Sequence, residues 1–396
     1  MTTPAPSGQN GSAEDAEAGR PLQRPLLERW GLRYFARRSR HTAAAAPFDA
    51  VHTLTPEEQD ALRRLERGAV ARAALAGALS ALLAALVEIL ALPHFLRADG
   101  SPQLAYWILI GAVSVSVAVC EIAYLYWITL RTVHDLSLAA GLELFPPDGR
   151  AEAEAVAAAL ARAALELPNP SGGAFGVDPH LETPRWRLLA VSLLYKAKVG
   201  LTNFVAKALV RRALSRAALR AYAPLAAVPV TALWDALVCR WAVREARIRV
   251  MGPSAARAYV SRLFGAAPPR TDAGRRAALH AVAAGVVSTR DLHPNLVALL
   301  AEVSRRLGAA PGERGETRAF LECLPKLPPD ERGLTLELLT LALILDGRVS
   351  ATERRLWRDA RRACGLDPDA RLLRRLLRAF VKGREIPLAE LRLSGT

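Results

Sequence analysis

The sequence predicts an all-α protein with a transmembrane helical hairpin, membrane-associated helices and a C-terminal helical bundle, and three observations lead to this prediction. The chain of 396 residues is 52% apolar and has a mean hydropathy of +0.14, although its net charge is +15. Its apolar residues are concentrated in two long stretches, 69–92 and 104–130. Elsewhere, apolar residues recur at helical spacing, without the alternation of a half-buried strand.

The composition argues against several functional classes. The four cysteines lie far apart without a C-x-x-C pair, which excludes the usual zinc and thioredoxin-like spacings and weakens a disulfide scaffold. The sequence contains no P-loop, no G-x-G-x-x-G after a strand, no H-E-x-x-H and no G-x-S-x-G. We therefore expect no enzymatic activity, no cofactor and no metal site.

The positive charge is interpreted as a signal of membrane topology rather than of nucleic-acid binding. Only five of the 53 basic residues are lysines, a bias typical of GC-rich genomes. The arginines are spread over many helices with acidic residues among them, and aromatic residues make up 6% of the chain. Because a nucleic-acid interface clusters its basic residues, we expect no nucleic-acid partner.

Residues 1–50 are predicted to form a disordered, basic N-terminal tail, since 1–20 are rich in Pro, Gly, Ser and Ala. One stretch of the tail has helical periodicity, with apolar residues on one face and arginines on another: Leu26, Trp30 and Tyr34, and Arg29, Arg33 and Arg37. This pattern indicates a helix in a membrane interface with its arginines toward anionic lipid headgroups. The alternative is a basic tail with scattered aromatics, which Gly31 favours.

Residues 51–133 are predicted to form the transmembrane hairpin. Thr55 and Pro56 are suited to the N-cap and first position of a helix, and Glu58 completes a capping box. Both apolar stretches, 69–92 and 104–130, exceed the roughly 20 residues needed to cross about 30 Å of hydrocarbon. The second stretch has aromatic residues at both ends, as expected at membrane interfaces. A buried helical hairpin in a large soluble protein is the alternative.

The first stretch also carries a stripe of small residues at every fourth position: Ala73, Gly77, Ala81 and Ala85. Such a stripe lets another helix approach closely. We expect that neighbour to be the second stretch, with Ala112 and Ser116 facing the stripe.

The distribution of arginines predicts the orientation. Eleven arginines lie in residues 20–72, whereas the connection 93–103 holds one, and Arg131 follows the second stretch. By the positive-inside rule the connection lies outside. Both termini are therefore expected in the cytoplasm, with the hairpin in a bacterial inner (cytoplasmic) membrane.

Two acidic residues fall within the predicted spans, and an intramembrane acid suggests a functional role by default. Glu88 is close enough to the outer connection to reach the interface. Glu121 lies nearer the cytoplasmic side, where an ion pair with Arg72 and a role in transport are both open interpretations.

Residues 134–260 are predicted to be a membrane-proximal helical region. Segments 187–210 and 221–243 are hydrophobic, but the first contains three lysines and the second contains Asp235 and two prolines. If both crossed the membrane, four arginines between them would lie outside, against the charge rule. We expect a helical hairpin on the inner membrane surface or on the main hairpin. The alternative is a four-span transport or channel component that uses Glu121 and residues 187–243.

Residues 265–396 are predicted to be a separate helical domain with a weak internal repeat. Both copies have the pattern G-x-V-S-x-x-acid, starting at Gly285 and at Gly347. In each copy the glycine is predicted to end one helix in a left-handed conformation. The serine, with the acid three residues later, is predicted to cap the next helix.

The second copy and its flanks, LALILDGRVSATERRLWRDARRACGLD, resemble TerB-like domains of tellurite-resistance proteins, which also occur in the DjlA co-chaperone. The resemblance rests on Asp346, Gly347 and Glu353, followed by Leu356 and Trp357, and implies an all-helical fold. Acidic residues of such domains have been linked to divalent metals, which nominates Asp346 and Glu353. A divalent metal ion requires several oxygen ligands, whereas six arginines lie between 348 and 362. We therefore assign no metal to Asp346 and Glu353.

The whole chain also resembles uncharacterised bacterial two-span membrane proteins. Together, these resemblances imply a non-enzymatic integral membrane protein that presents a cytoplasmic TerB-like module to protein partners. A role in envelope or stress response is the corresponding expectation.

Overall fold

The computed structural model describes residues 25–40, 52–96, 102–142, 144–145, 151–169, 227–308 and 317–386, with 175, 177, 179 and 225 as isolated positions. Within these ranges the chain is helical and contains no β-strand, which confirms the all-α prediction. The helices are α1 (Leu26–Ser39), α2 (Pro56–Leu96), α3 (Pro102–Ala139), α4 (Ala151–Ala164), α5 (Ala227–Ala266), α6 (Asp272–Thr289), α7 (Pro294–Leu307), α8 (Thr317–Cys323), α9 (Pro329–Ile344), α10 (Ala351–Ala363) and α11 (Ala370–Val381). A 3-10 turn, Leu324–Lys326, follows α8.

Helices α2 and α3 are long and apolar enough to cross a membrane by length and composition. Each extends well beyond its predicted apolar stretch, as one continuous helix. The predicted start of α2 is confirmed. The backbone N–H of Thr55 donates to Glu58 Oε2 at 2.7 Å, and the N–H of Glu58 donates to Thr55 Oγ1 at 3.2 Å.

The large apolar side chains of α2 and α3 point outward. Leu75, Leu90 and Val115 are 58%, 66% and 64% exposed. These side chains are therefore not covered by the described part of the chain, as they would be in a hairpin at the core of a single soluble chain. The exposed set, called the apolar belt, also includes two residues of α5. Its members are Leu75, Leu79, Leu82, Leu83, Leu86, Leu90, Ile108, Leu109, Val115, Val119, Ile122, Leu233 and Trp241.

Helix α5 runs antiparallel to α2 and joins the apolar belt to the rest of the protein. Asp235 of α5 lies against Gly77, and Arg247 forms a 2.8 Å ion pair with Glu66, nearer the start of α2. The small-residue stripe of α2 therefore faces α5 at Gly77. The expectation that Ala112 and Ser116 would face it is wrong, since both are exposed. The segment 187–210 lies outside the described residues.

The N-terminal arginine-rich stretch forms a packed helix, α1, within the region predicted to be a disordered tail. Gly31 allows the close approach of α4, because a Cβ there would lie 3.0 Å from Ala161 Cβ. Phe35 is fully buried, and the buried carboxylate of Glu28 forms a 2.6 Å ion pair with Arg162. The glycine that favoured an unstructured tail instead serves helix packing. The predicted disorder of 1–20 lies outside the described residues.

Helix α9 packs against α6, α10 and α11, and its residues from Leu334 to Ile344 are all buried. The second repeat copy is built as predicted. Gly347 has a left-handed φ of +73°, and Ser350 and Glu353 form a capping box at the start of α10. The first copy is not a helix joint. Gly285 lies inside α6, where a Cβ would come within 2.6 Å of Ala342, and the helix continues to Thr289.

Candidate functional site: the polar residues of helix α5

The charged residues of α5 form two buried groups along its length. Asp235 lies at the level of the apolar belt, whereas Glu245 and Arg249 lie where α5 meets the C-terminal helices. The exposed fraction of Asp235 is 6%, and that of Arg249 is 5%. Because buried charges require partners, these positions are the strongest candidates for function or for specific assembly in the described part of the chain.

Glu121 of α3 and Asp235 of α5 form a carboxyl pair. The two side chains are close enough to interact, so that two acidic groups lie side by side between the helices. Gly77 of α2 makes room for the pair, since a Cβ there would overlap Asp235 Oδ2 and lie 2.9 Å from the carbonyl oxygen of Thr231. The two carboxyl groups and Gly77 thus come together where α2, α3 and α5 meet.

The ion pair considered for Glu121 and Arg72 is not formed. Arg72 instead donates its Nε to the carbonyl oxygen of Gly68 at 3.1 Å, on its own helix. The other predicted intramembrane acid, Glu88, is half-buried near the opposite end of α2. The structure therefore gives Glu121 an acidic neighbour, Asp235, in place of the considered partner Arg72.

Glu245 is the centre of the second group. Its carboxylate accepts hydrogen bonds from Arg249 Nε at 3.1 Å, from His293 Nε2 at 3.0 Å and from Arg348 Nη2 at 3.1 Å. Burial raises the pKa of Glu245, but the hydrogen bond from His293 and the charges of Arg249 and Arg348 outweigh it and hold the pKa at about 2. Glu245 therefore joins α5 to α7 and to the connection between α9 and α10.

A buried amide strengthens the same junction. Asn295 is fully buried, and its Nδ2 donates to the carbonyl oxygens of Ile248 at 2.9 Å and Leu345 at 2.7 Å. Gly252 of α5 makes this contact possible, because a Cβ at that position would overlap the Asn295 side chain. One side chain thus satisfies carbonyl groups from two helices that are distant in sequence.

The two acids nominated by the TerB resemblance have local structural roles. Glu353 is 1% exposed and uses both carboxylate oxygens, one in the capping box with Ser350 and one as acceptor from Thr289 Oγ1 at 2.8 Å. Asp346 accepts from the backbone N–H of Arg348 at 3.0 Å. Burial, with the nearby charge of Glu353, raises the pKa of Asp346 to about 8. In the described residues no group of three or more His, Cys, Asp or Glu side chains could hold a metal ion.

The raised pKa of Asp346 predicts that Asp346→Asn stabilises the protein at alkaline pH. The unfolded chain loses this proton near pH 3.8 and the folded chain near pH 8, so the free energy of unfolding of the wild type falls as the pH rises between these values. An amide does not ionise and can still accept from Arg348. We expect the variant to be more stable than wild type by about 2 kcal/mol at pH 8.

Chemical unfolding in detergent at pH 5 and pH 8 measures this difference. The exposed substitution Asp367→Asn is the control and should shift stability by less than about 0.5 kcal/mol at either pH. A stabilisation of Asp346→Asn that was equal at both pH values would contradict the assignment of the raised pKa to this carboxyl group.

Sequence reasoning missed the roles of Asp235, Glu245 and Asn295. Asp235 was noticed only as a charge that argued against a membrane span, although a lone acid in a hydrophobic segment is itself a signal of a buried partner. Glu245 and Asn295 carry no local signal, since their partners come from other helices. A comparison with protein-family models, with curated proteins and with solved structures found no match to the chain.

Proposed function

We propose that the chain is an integral membrane protein of the bacterial inner membrane that has no enzymatic activity. In this proposal, α2 and α3 anchor a cytoplasmic helical module for interaction with a partner. The observation that carries it is the apolar belt, which covers α2, α3 and the start of α5 with exposed Leu, Ile, Val and Trp side chains. A large contiguous apolar surface marks a site at which a protein contacts a membrane or another protein.

The position of α1 supports the cytoplasmic orientation. Gly31 lies next to Leu130, at the end of the second apolar stretch, and Arg131 beside it stacks its guanidinium 5.5 Å from the ring of Trp127. On the free side of α1, Leu26 is 80% and Trp30 45% exposed, and three arginines point outward: Arg29, Arg33 and Arg37. This arrangement suits a helix at the membrane interface, with arginines that bind anionic lipid headgroups.

Helix α5 connects the anchor and the module. It runs without interruption from Leu233 in the apolar belt to Tyr259, which is buried among the C-terminal helices. The Glu245 and Asn295 contacts fix it to α7 and α9. A module held this firmly to its anchor suits the presentation of a binding surface at the membrane. The resemblance to TerB-like domains supports an interaction role in envelope or stress response.

Cysteine labelling in intact cells and in broken cells tests the anchor and its orientation. Single cysteines replace Ala98, Ser215 or Arg318 in a chain from which Cys120, Cys239, Cys323 and Cys364 have been removed. A membrane-impermeant maleimide is expected to label position 98 in intact cells, and positions 215 and 318 only after the membrane is opened. Recovery of the protein in the soluble fraction would contradict the anchor, and labelling of 318 in intact cells would contradict the orientation.

A second candidate function is a proton-linked transport or channel component with four spans. The neighbouring carboxyl groups of Glu121 and Asp235 favour it, because acidic side chains between apolar helices are a common form of proton relay. The same labelling experiment separates the two candidates. Labelling of position 215 in intact cells would establish that residues 187–243 cross the membrane and would replace the two-span proposal.

A further inference from the structure

The last helix, α11, divides sharply into a buried apolar side and an exposed basic side. Leu373, Leu376 and Phe380 are each at most 2% exposed and pack into the module. The other side, continued by the two basic residues that follow the helix, is called the basic face. It consists of Arg371, Arg374, Arg375, Arg378, Lys382 and Arg384, all of them exposed. The structure thus gathers on one surface a set of charges that the sequence spread over 14 positions.

The basic face surrounds a half-open concavity of about 570 Å³, to which Ala379 is the single contributor that is not basic. The nearby acid Glu385 is held in an ion pair by Arg262 and does not neutralise the face. The like charges of Arg371, Arg374, Arg378, Lys382 and Arg384 around one cavity repel one another, and a bound anion relieves that repulsion.

The lining defines the chemistry of the ligand. All of the lining residues except Ala379 are basic, so the site selects a ligand that carries negative charge. A phosphoryl group carries about two negative charges and three acceptor oxygens, whereas a carboxylate carries one charge. One guanidinium group also forms two parallel hydrogen bonds to two oxygens of the same phosphate group. We propose that the basic face binds a soluble, phosphate-rich small anion, such as an oligophosphate or a multiply phosphorylated metabolite.

The position of the basic face favours a soluble anion over a lipid headgroup. The carbonyl oxygen of Gly383, between Lys382 and Arg384, accepts from the N–H of Leu54 at 2.8 Å. Leu54 precedes the first apolar stretch, which begins at residue 69, by about 20 Å of helix. The end of the face therefore lies away from the predicted bilayer surface. The preference for a soluble anion over a lipid headgroup rests on the proposed membrane anchor, whereas anion binding by the basic face does not.

Calorimetric titration of the full-length protein in detergent with sodium tripolyphosphate tests the proposal. We expect saturable binding that weakens as salt is added. The double substitution Arg374→Gln and Arg378→Gln should weaken binding at least tenfold. The matched control, Arg354→Gln and Arg358→Gln, removes two exposed arginines from α10 and should change the affinity less than twofold. The thermal unfolding midpoint of each variant shows whether it is folded.

Two results would overturn the proposal. One is the absence of tripolyphosphate binding to the wild type. The other is an equal loss of binding in both folded double variants, which would indicate a general charge effect. Parallel titrations use phosphatidylglycerol vesicles and duplex DNA. Binding of either through Arg374 and Arg378, without tripolyphosphate binding, assigns the face to that class instead. The membrane anchor is tested separately by cysteine labelling, so an error in the anchor is distinguished from an error in the anion site.

Discussion

Substitution of Gly252 by alanine is expected to destabilise the protein by about 3 kcal/mol, measured as the free energy of unfolding in detergent. The new Cβ overlaps the side chain of Asn295, which is fully buried. Displacement of Asn295 breaks its hydrogen bonds to the carbonyl oxygens of Ile248 and Leu345. The carbonyl oxygen of Leu345 then loses its donor, whereas that of Ile248 keeps only its hydrogen bond within α5. The loss of such a bond to a buried acceptor costs about 1–3 kcal/mol.

Gly265 of the same helix provides a matched control, because nothing lies within 4 Å of a Cβ at that position. Gly265→Ala should leave stability unchanged or raise it by less than about 1 kcal/mol, since alanine favours the helix. A double-mutant cycle with Asn295→Ala assigns the effect. If the clash is its cause, Gly252→Ala costs much less when Asn295 has already been truncated. An undiminished cost in that background would contradict the proposed contact.

Substitution of Glu245 by alanine is expected to destabilise the protein by about 3–5 kcal/mol. Arg249 is 5% exposed and depends on Glu245 for its carboxylate partner, although its Nη1 also donates to the carbonyl oxygen of Ala159 at 2.7 Å. Removal of the acid leaves a buried positive charge without compensation. Glu322→Ala is the control, because its ion pair with Arg318 is exposed to solvent and should contribute at most about 1 kcal/mol.

The pH dependence of stability tests the same group. The folded pKa of Glu245 is about 2, below its ordinary value of 4.5. The pKa of His293 is also below its ordinary value, because burial lowers it. The charge of Arg249 lowers this pKa as well, whereas Glu245 and Asp291 act in the opposite direction. In both cases the unfolded chain binds protons at a higher pH than the folded chain. Glu245 and His293 therefore make their full contribution to the free energy of unfolding above about pH 6.5, and this contribution decreases as the pH falls.

In the Glu245→Ala variant the part of this decrease between about pH 4.5 and pH 2 should disappear. Unfolding midpoints in urea, measured at intervals from pH 7 to pH 3, give the comparison. An acid profile identical to that of the wild type would show that Glu245 does not carry the depressed pKa. The Asp346 carboxyl contributes a trend of opposite sign, which the Asp346→Asn background removes.

Several elements could be predicted from sequence because their determinants are local. Thr55, Pro56 and Glu58 lie within four residues of one another and set the start of α2. Ser350 and Glu353 do the same for α10. The length of an apolar stretch likewise depends on consecutive residues. The same local reasoning failed at Gly285, since a glycine ends a helix only where packing does not require it inside one, and here α9 packs against it.

The sequence by itself determined the helical class, the two long apolar helices and the caps that begin α2 and α10. Only the tertiary structure decided which helices are neighbours. It paired Gly77 with α5 rather than α3, gave Glu121 the partner Asp235, and joined Glu245 to His293. Each of these contacts joins residues at least 48 positions apart. Helical periodicity shows which face of a helix is apolar, but it does not show which other helix covers that face.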